Sequence, residues 1–447
     1  MLTVDQARDR AAAIVHAARR AGADAADALV AADRSLDVSV RLGALEDVGR
    51  SESAELSLRV FCGKRGASVS TADFAPAALE ALVERAIAMA RAAPEDDWAG
   101  LAPAERLLHG APPLLDLDDG IEPEPAALKA LALAAEETAR AVPGVTNSEG
   151  ANAGASRAIL ALATSHGFAA GYASSSHSLS ASVLAGDPGA MERDYAYSTA
   201  RHAKHLDAAE AVGRLAGERA VARVGAGRLE SGALPVVFDP RVGGSLLGHL
   251  IGAISGQAIA RKTSFLLDAL GTEVFAPGVT IHDDPHRPHG LRSRPFDGEG
   301  LAVSPVEIVR AGVLETWLLD SASARQLGLE PTGHAARGGA GVGVAPSNLY
   351  MAAGHLPRET LIGEIERGVY VTELIGMGVN GVTGDYSRGA AGFLIERGEI
   401  TRPVSEFTIA GNLREMFRAL TPANDLEFRY GINVPTLRVD ALTVASG

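Results

Sequence analysis

Between Gly376 and Phe417 the chain interleaves glycines with polar residues at a density that neither a helix nor a plain strand tolerates. The run opens Gly376-Met-Gly-Val-Asn-Gly-Val-Thr-Gly-Asp-Tyr-Ser-Arg-Gly389 and ends Ile409-Ala-Gly-Asn-Leu-Arg-Glu-Met-Phe417. Glycine reaches such density where the backbone takes positive φ or passes close to another segment. A flexible linker would also be glycine-rich, but it would not carry Met377, Val379, Tyr386 and Phe393. The run therefore predicts an ordered strand–loop–strand lining a site. Gly378, Asn380, Thr383, Asp385, Tyr386, Ser387 and Arg388 are its candidate residues.

Charge narrows the choice of partner. A formal net charge of −14 argues against a general nucleic-acid or membrane-surface binder, since both are themselves negative. Arg287, Arg292 and Arg294 form only a small basic cluster mixed with acids. The single cysteine, Cys62, excludes an intrachain disulfide and a Cys-rich metal site. Val4 to Arg20 carries Asp5, Asp9 and several arginines where a signal peptide would be apolar. No uninterrupted stretch of about 18 apolar residues occurs to span a bilayer. A soluble, cytoplasmic protein is expected.

With 447 residues there is room for two or three domains. Thr3 and Gln6 have capping-box spacing before a helix that stops at Gly22. Short segments follow at 25–32, 36–42 and 55–61, the last two alternating as strands do, and 67–70 closes a hairpin across Gly63-Lys64-Arg65-Gly66. Helices are expected at 74–93, 126–141 and 205–222, long strands over 157–184, and a proline-rich acidic loop from Pro94 to Pro125. Beyond Arg228 the chain is richer in Gly, Val, Ile and Thr. Strands are expected there at 234–238, 306–309, 313–318, 369–374, 392–396 and 436–442, with Arg397-Gly398 as a hairpin turn. The class is α+β: an N-terminal α/β domain, 1–228, and a mainly β C-terminal domain with a few helices, 229–447.

Asp239-Pro240 opens a helix with Asp as N-cap and Pro at the first helical position. Gly244, Gly248, Gly252 and Gly256 then recur every fourth residue beside an apolar face of Val242, Leu246, Leu247, Leu250 and Ile254. Interior glycines cost a helix roughly 1 kcal/mol each relative to alanine, so such a face needs compensation. Tight packing against a strand is the more frequent reason. An approach surface for a peptide or partner chain is the other.

Several segments together resemble the TldD/PmbA family, in its PmbA (TldE) branch. They are Arg59-Val-Phe-Cys-Gly-Lys64, Pro295-Phe-Asp-Gly-Glu-Gly300, Gly378-Val-Asn-Gly-Val-Thr-Gly-Asp-Tyr-Ser-Arg-Gly389 and Pro403-Val-Ser-Glu-Phe-Thr-Ile-Ala-Gly-Asn-Leu413. The similarity runs over essentially the whole chain. It implies zinc-dependent proteolysis of unfolded or modified peptides by a complex of two homologous subunits. An older family name, modulator of DNA gyrase, reflects a toxin connection and not a DNA-binding surface. In the active TldD branch a His-Glu-x-x-x-His helix and a cysteine near the C-terminus hold zinc. The matching helix here reads Leu247-Gly-His-Leu-Ile-Gly-Ala253, with Gly248 and Ala253 at the histidine positions and His249 at the glutamate position. A hydrolytic zinc needs about three protein ligands, an open position and a base. No catalytic residue, metal ligand or cofactor is therefore assigned to this chain, and zinc is expected in a TldD-like partner.

The resemblance implies a non-catalytic subunit that pairs with a TldD-like homologue and positions an extended peptide. Gly376–Arg388 is then the candidate peptide-binding or interface surface, with strand addition as one mode of holding the peptide. No nucleic-acid or membrane partner is expected. Two other readings stand beside it. One is a stand-alone hydrolase with a metal on His282-Asp-Asp-Pro-His-Arg-Pro-His289; the other is a homodimeric peptide-binding protein without chemistry. His177, His202 and His205 read as ordinary histidines, and Cys62 as a packed strand residue. Gly338-Gly-Ala-Gly-Val-Gly343 lacks the Lys-Ser/Thr of a phosphate loop and opens no helix, so no nucleotide site is read there.

Overall fold

The computed structural model describes residues 2–338 and 341–446. Helix α1 (Val4–Arg20) begins on the expected capping box: Gln6 N donates to Thr3 Oγ1 at 3.1 Å and Thr3 N to Gln6 Oε1 at 3.0 Å. Strands β1 (Ala25–Arg41), β2 (Ala44–Cys62) and β3 (Arg65–Thr71) follow. The break expected between Ala32 and Leu36 is absent. β1 runs straight through Asp33-Arg34-Ser35 because β2 pairs with it on one side and β4 on the other. Lateral pairing on both edges satisfies the backbone there, whatever the side chains prefer.

Helices α2 (Pro76–Ala92) and α3 (Pro125–Ala141) both start on proline. Strands β4 (Val145–Thr164), β5 (Ala169–Ala185) and β6 (Glu192–Ala200) and helix α4 (Ala209–Ala222) complete the first half. The six strands form one antiparallel sheet in the order β3-β2-β1-β4-β5-β6. One end of the sheet shares an apolar core with α1 and α2, the other with α3 and α4. The two later helices approach very closely: a Cβ at Gly213 would stand 2.1 Å from the Ala135 carbonyl oxygen.

In the second half β7 (Gly232–Phe238) leads into α5 (Pro240–Ala253). β7 lies parallel to the strand Arg367–Ile375 and antiparallel to Leu437–Ser446. Arg367–Ile375 pairs onward with Asp385–Glu396, that strand with Glu399–Asn412, and the last returns to Leu437–Ser446. The pairings close into a ring, which leaves those five strands no long open edge. Arg397 and Gly398, at φ 52° and 79°, make the expected hairpin turn. A smaller sheet is built around Ile281–Asp284, flanked by Val306–Arg310 and Asn348–Met351. The strand expected over 313–318 shrinks to Val313–Leu314. Leu246, Leu247 and Leu250 of α5 are fully buried in the core shared by ring and small sheet. In the glycine run 338–343, Gly338 ends one strand and Gly341 begins its antiparallel partner, while Gly339 and Ala340 lie outside the described residues.

Candidate functional site

Asp239 fixes the start of α5. Its carboxylate accepts from Arg241 N at 2.9 Å and from Tyr370 Oη at 2.8 Å, so the helix is tied to a ring strand at its first turn. The leucine face then enters the core and the glycine face turns outward. A Cβ added at Gly248 or Gly252 would meet nothing within 4 Å; at Gly244 it would touch only Ile432, at 3.6 Å. Both Gly248 and Gly252 are exposed. Tight packing therefore does not account for these two glycines. Gly256 differs, since it sits in the next short helix and is pressed against Ser323.

The open face borders a cavity of about 620 Å³ between β6, α5 and the ring. Gly244, Ser245 and Gly248 line it from α5; Asp194, Tyr195 and Tyr197 from β6; Thr372 to Leu374 and Tyr430 to Ile432 from the second half. Five arginines reach it, Arg193, Arg223, Arg241, Arg292 and Arg388, against two carboxylates, Asp194 and Glu373. Arg241 grips Asp194 with two bonds of 2.8 and 3.0 Å, and Arg223 lies 2.5 Å from Glu373. Burial acts to raise the Asp194 pKa, but Arg241 and Arg223 outweigh it and keep the carboxyl ionised. The cavity thus carries a net positive charge on a strongly acidic chain, a field suited to an anionic group. Tyr195, Tyr197 and Tyr430 add an aromatic wall: Tyr195 stacks on Tyr197 with centroids 6.2 Å apart, and Tyr430 is tilted against Tyr197 at 5.5 Å.

The glycine-rich loop folds against the same place. Its residues divide by role. Gly378 allows the closest approach, because a Cβ there would lie 2.1 Å from Ser387 O, the residue whose N–H donates to Gly378 O at 2.7 Å. Asn380 Oδ1 accepts from Val382 N and Thr383 N at 2.9 and 3.3 Å. Asp385 accepts from Thr383 Oγ1 at 2.6 Å and from Asn412 Nδ2 at 3.1 Å; these two bonds hold its carboxyl below the usual range. Asn380, Thr383 and Asp385 therefore build the turn. Tyr386 points inward, its ring edge-on to His249 with centroids 5.9 Å apart. Arg388 reaches the cavity. Asp385 to Arg388 belong to a strand paired on its far side with Asn412 to Ile409 and clipped by Gly378 on the near side, so a peptide strand finds no free ladder there. The loop offers instead an exposed apolar tip of Ile375, Met377 and Val382.

His249 has its Nε2 buried without a hydrogen-bond partner, as is the hydroxyl of Tyr386. Burial lowers the His249 pKa and the Arg388 charge lowers it further, so the imidazole is neutral. Gly248 supplies no donor, and Ala253 is sealed in the core. The helix does not fit a hydrolytic zinc. Nor does the loop His282–His289: His282 stacks on Tyr350 at 4.9 Å, whereas His289 turns away to Asp116 at 2.7 Å. Among the described residues, only Asp116, His202 and His289 bring three potential metal ligands together. That grouping includes His202, which reads in the sequence as an ordinary histidine.

Three domain models cover most of the chain: PmbA/TldA metallopeptidase domain 1 at residues 26–90, the central domain at 118–224 and the C-terminal domain at 231–446. The chain belongs to the PmbA/TldD metallopeptidase family. It is 40% identical over 424 residues to the Metalloprotease PmbA of Escherichia coli O157:H7, covering 94% of this chain and 92% of that one. It is 37% identical over 440 residues to the PmbA homologue of Haemophilus influenzae, covering 96% and 94%. A crystal structure described as a modulator of DNA gyrase, from Bacteroides thetaiotaomicron, superposes with a TM-score of 0.91 at 28% identity over the whole of both chains. TldE of Thermococcus kodakarensis superposes with a TM-score of 0.87 over 97% of this chain and 99% of its own, and at 21% identity it speaks for the fold alone. The α+β class of this family member agrees with both structures. No helix among its described residues is long and apolar enough to cross a membrane.

The cavity residues were not legible as a site. Asp194, Arg223 and Arg241 are scattered in sequence and belong to a strand, a helix end and another helix start. Alternation in Glu192-Arg-Asp-Tyr-Ala-Tyr-Ser-Thr-Ala200 was the one available signal.

Proposed function

We propose that this chain is the peptide-positioning, non-catalytic subunit of a cytoplasmic metalloprotease whose zinc resides in a TldD-like homologue. The observation that carries the reading is the bare face of α5. It has Gly248 and Ala253 at the positions of the family's two histidines and His249 at that of the glutamate, and Gly248 opens directly onto a cationic cavity. Cβ-free helix lets an extended backbone approach closely, and the arginines suit a carboxylate of the peptide, at its C-terminus or on an acidic side chain. The exposed tip Ile375, Met377 and Val382 suits contact with the partner subunit. A carboxylate-bearing extended peptide is thus the proposed ligand class.

Sedimentation of the chain with a TldD-like subunit tests the pairing. The reading expects a mixed complex of defined stoichiometry that Met377→Asp weakens. Self-association alone, unchanged by added TldD-like subunit, would favour the homodimeric peptide-binding reading instead.

A further inference from the structure

We infer that Asp116, His202 and His289 form a divalent transition-metal site, with His205 beside it, that fastens the two halves of the chain together. Its location differs from the α5 helix. One potential ligand atom from each of the three residues lies within 4.8 Å of the others. His289 Nε2 is 2.7 Å from Asp116 Oδ2; His202 Nε2 is 3.4 Å from Asp116 Oδ1. Four-coordinate zinc, with bonds of about 2.0–2.2 Å, sets its ligands roughly 3.4 Å apart, so a small opening of the Asp116–His289 pair admits the ion. The His205 ring centroid stands 4.8 Å from that of His289 and 5.6 Å from that of His202.

Three imidazole rings crowd one carboxylate, with the His202 and His289 ring centroids 4.5 Å apart and His205 stacked on His202. Imidazole nitrogens suit zinc, cobalt or nickel and suit calcium or magnesium poorly, and an ion here would replace the contacts of His202 Nε2 with Asp116 O, 3.0 Å, and of His289 Nε2 with Asp116 Oδ2. Asp116 and His289 both hold positive φ, 52° and 54°, a conformation that Asp and His enter more readily than most residues.

The supports are already ordered. Ser175 N donates to Leu117 O at 2.9 Å, and Asp119 accepts from Ala203 N at 2.8 Å, so the segment carrying Asp116 is pinned to the segment carrying His202. Arg201 Nε donates to Gly290 O at 3.4 Å and its Nη1 to Ser175 O at 3.0 Å, holding the His289 loop in place. Fixed outer contacts of this kind orient ligands before the ion arrives. Asp116 and His202 come from the first half and His289 from the second, so the ion would cross-link segments 173 residues apart.

Cobalt titration of the chelator-stripped full chain tests the site by the visible absorption of bound Co²⁺, with zinc as competitor. The expected result is one Co²⁺ per chain, displaced by Zn²⁺, bound at least roughly tenfold more weakly by His289→Asn and by Asp116→Asn. Asparagine tolerates positive φ, so both variants preserve the backbone, which circular dichroism verifies. Added zinc should also raise the melting temperature of the parent chain and of neither variant. No saturable absorption, or undiminished binding by the doubly substituted chain, overturns the site. Neither result depends on whether the chain positions peptides.

Discussion

Arg59 of β2 stands 3.3 Å from Glu299, 240 residues away, while also holding Asp27 of β1 at 2.5 Å. Arg337 reaches Asp27 from the other side, and the side chains of Asp27, Glu299 and Arg337 are all buried. Two of the family-like segments, around Arg59 and around Glu299, therefore meet as a structural latch between the halves and lie outside the cationic cavity. Burial acts to raise the Asp27 pKa, but the two guanidiniums overcome it and hold the carboxyl below its ordinary value.

Replacing Asp27 with Ala leaves two buried arginines short of a partner. Breaking a buried pair in this way costs about 3–5 kcal/mol. Urea unfolding should show a loss of that order, and a loss under 1 kcal/mol would mean that Arg59 and Arg337 find other partners.

Asp297, two residues before Glu299, gives the fold a pH dependence. Burial, with the Glu299 charge adding to it, pushes its pKa up to about 7 despite bonds from Glu299 N and Leu301 N, both 2.9 Å. The folded state therefore keeps a proton that the unfolded state, with a pKa near 3.8, has released. Stability from this group falls as pH rises from about 4 to 7 and is level above, by on the order of 4 kcal/mol. Denaturation midpoints across that range should flatten in Asp297→Asn; an unchanged slope would place the titration elsewhere.

Gly248 separates helix stability from ligand access. Gly248→Ala puts a Cβ into open space and should stabilise the chain by roughly 1 kcal/mol. Gly248→Leu should fold equally well but obstruct the cavity, weakening an acidic fluorescent peptide by at least roughly tenfold in anisotropy titrations. Equal peptide affinity in both variants would show that the peptide does not cross the glycine face.

Asp385 and Asn380 act through the turn they build. Asp385→Ala removes the acceptor for Thr383 Oγ1 and Asn412 Nδ2, and Asn380→Ala removes the acceptor for two main-chain N–H groups. Each should impair partner-dependent proteolysis several-fold and raise amide hydrogen exchange over 376–388. Unchanged proteolysis in both variants would remove the loop from the mechanism.

Local chemistry was legible in the sequence wherever one short segment decides the outcome. Thr3 with Gln6, Asp239 with Pro240, and Arg397 with Gly398 each set an element boundary that the structure contains. The glycine spacing of α5 was legible too, but the same pattern serves a packed face or an open one, and only the fold shows Gly248 and Gly252 uncovered. The cavity and the Asp116–His202–His289 cluster were hidden because their members converge only when both halves are assembled. β6 carries only a weak strand signal in sequence, because small Ala and Ser side chains blunt the alternation between its tyrosines.

Proteolysis of an unfolded acidic peptide, followed by mass spectrometry, decides whether this chain is a non-catalytic subunit. The peptide is incubated with this chain alone, with a TldD-like subunit alone, and with both. A non-catalytic, peptide-positioning chain leaves the peptide intact on its own and supports a cleavage by the mixture that Gly248→Leu suppresses. Cleavage by this chain alone, after repurification and with a single set of product masses, would contradict that role.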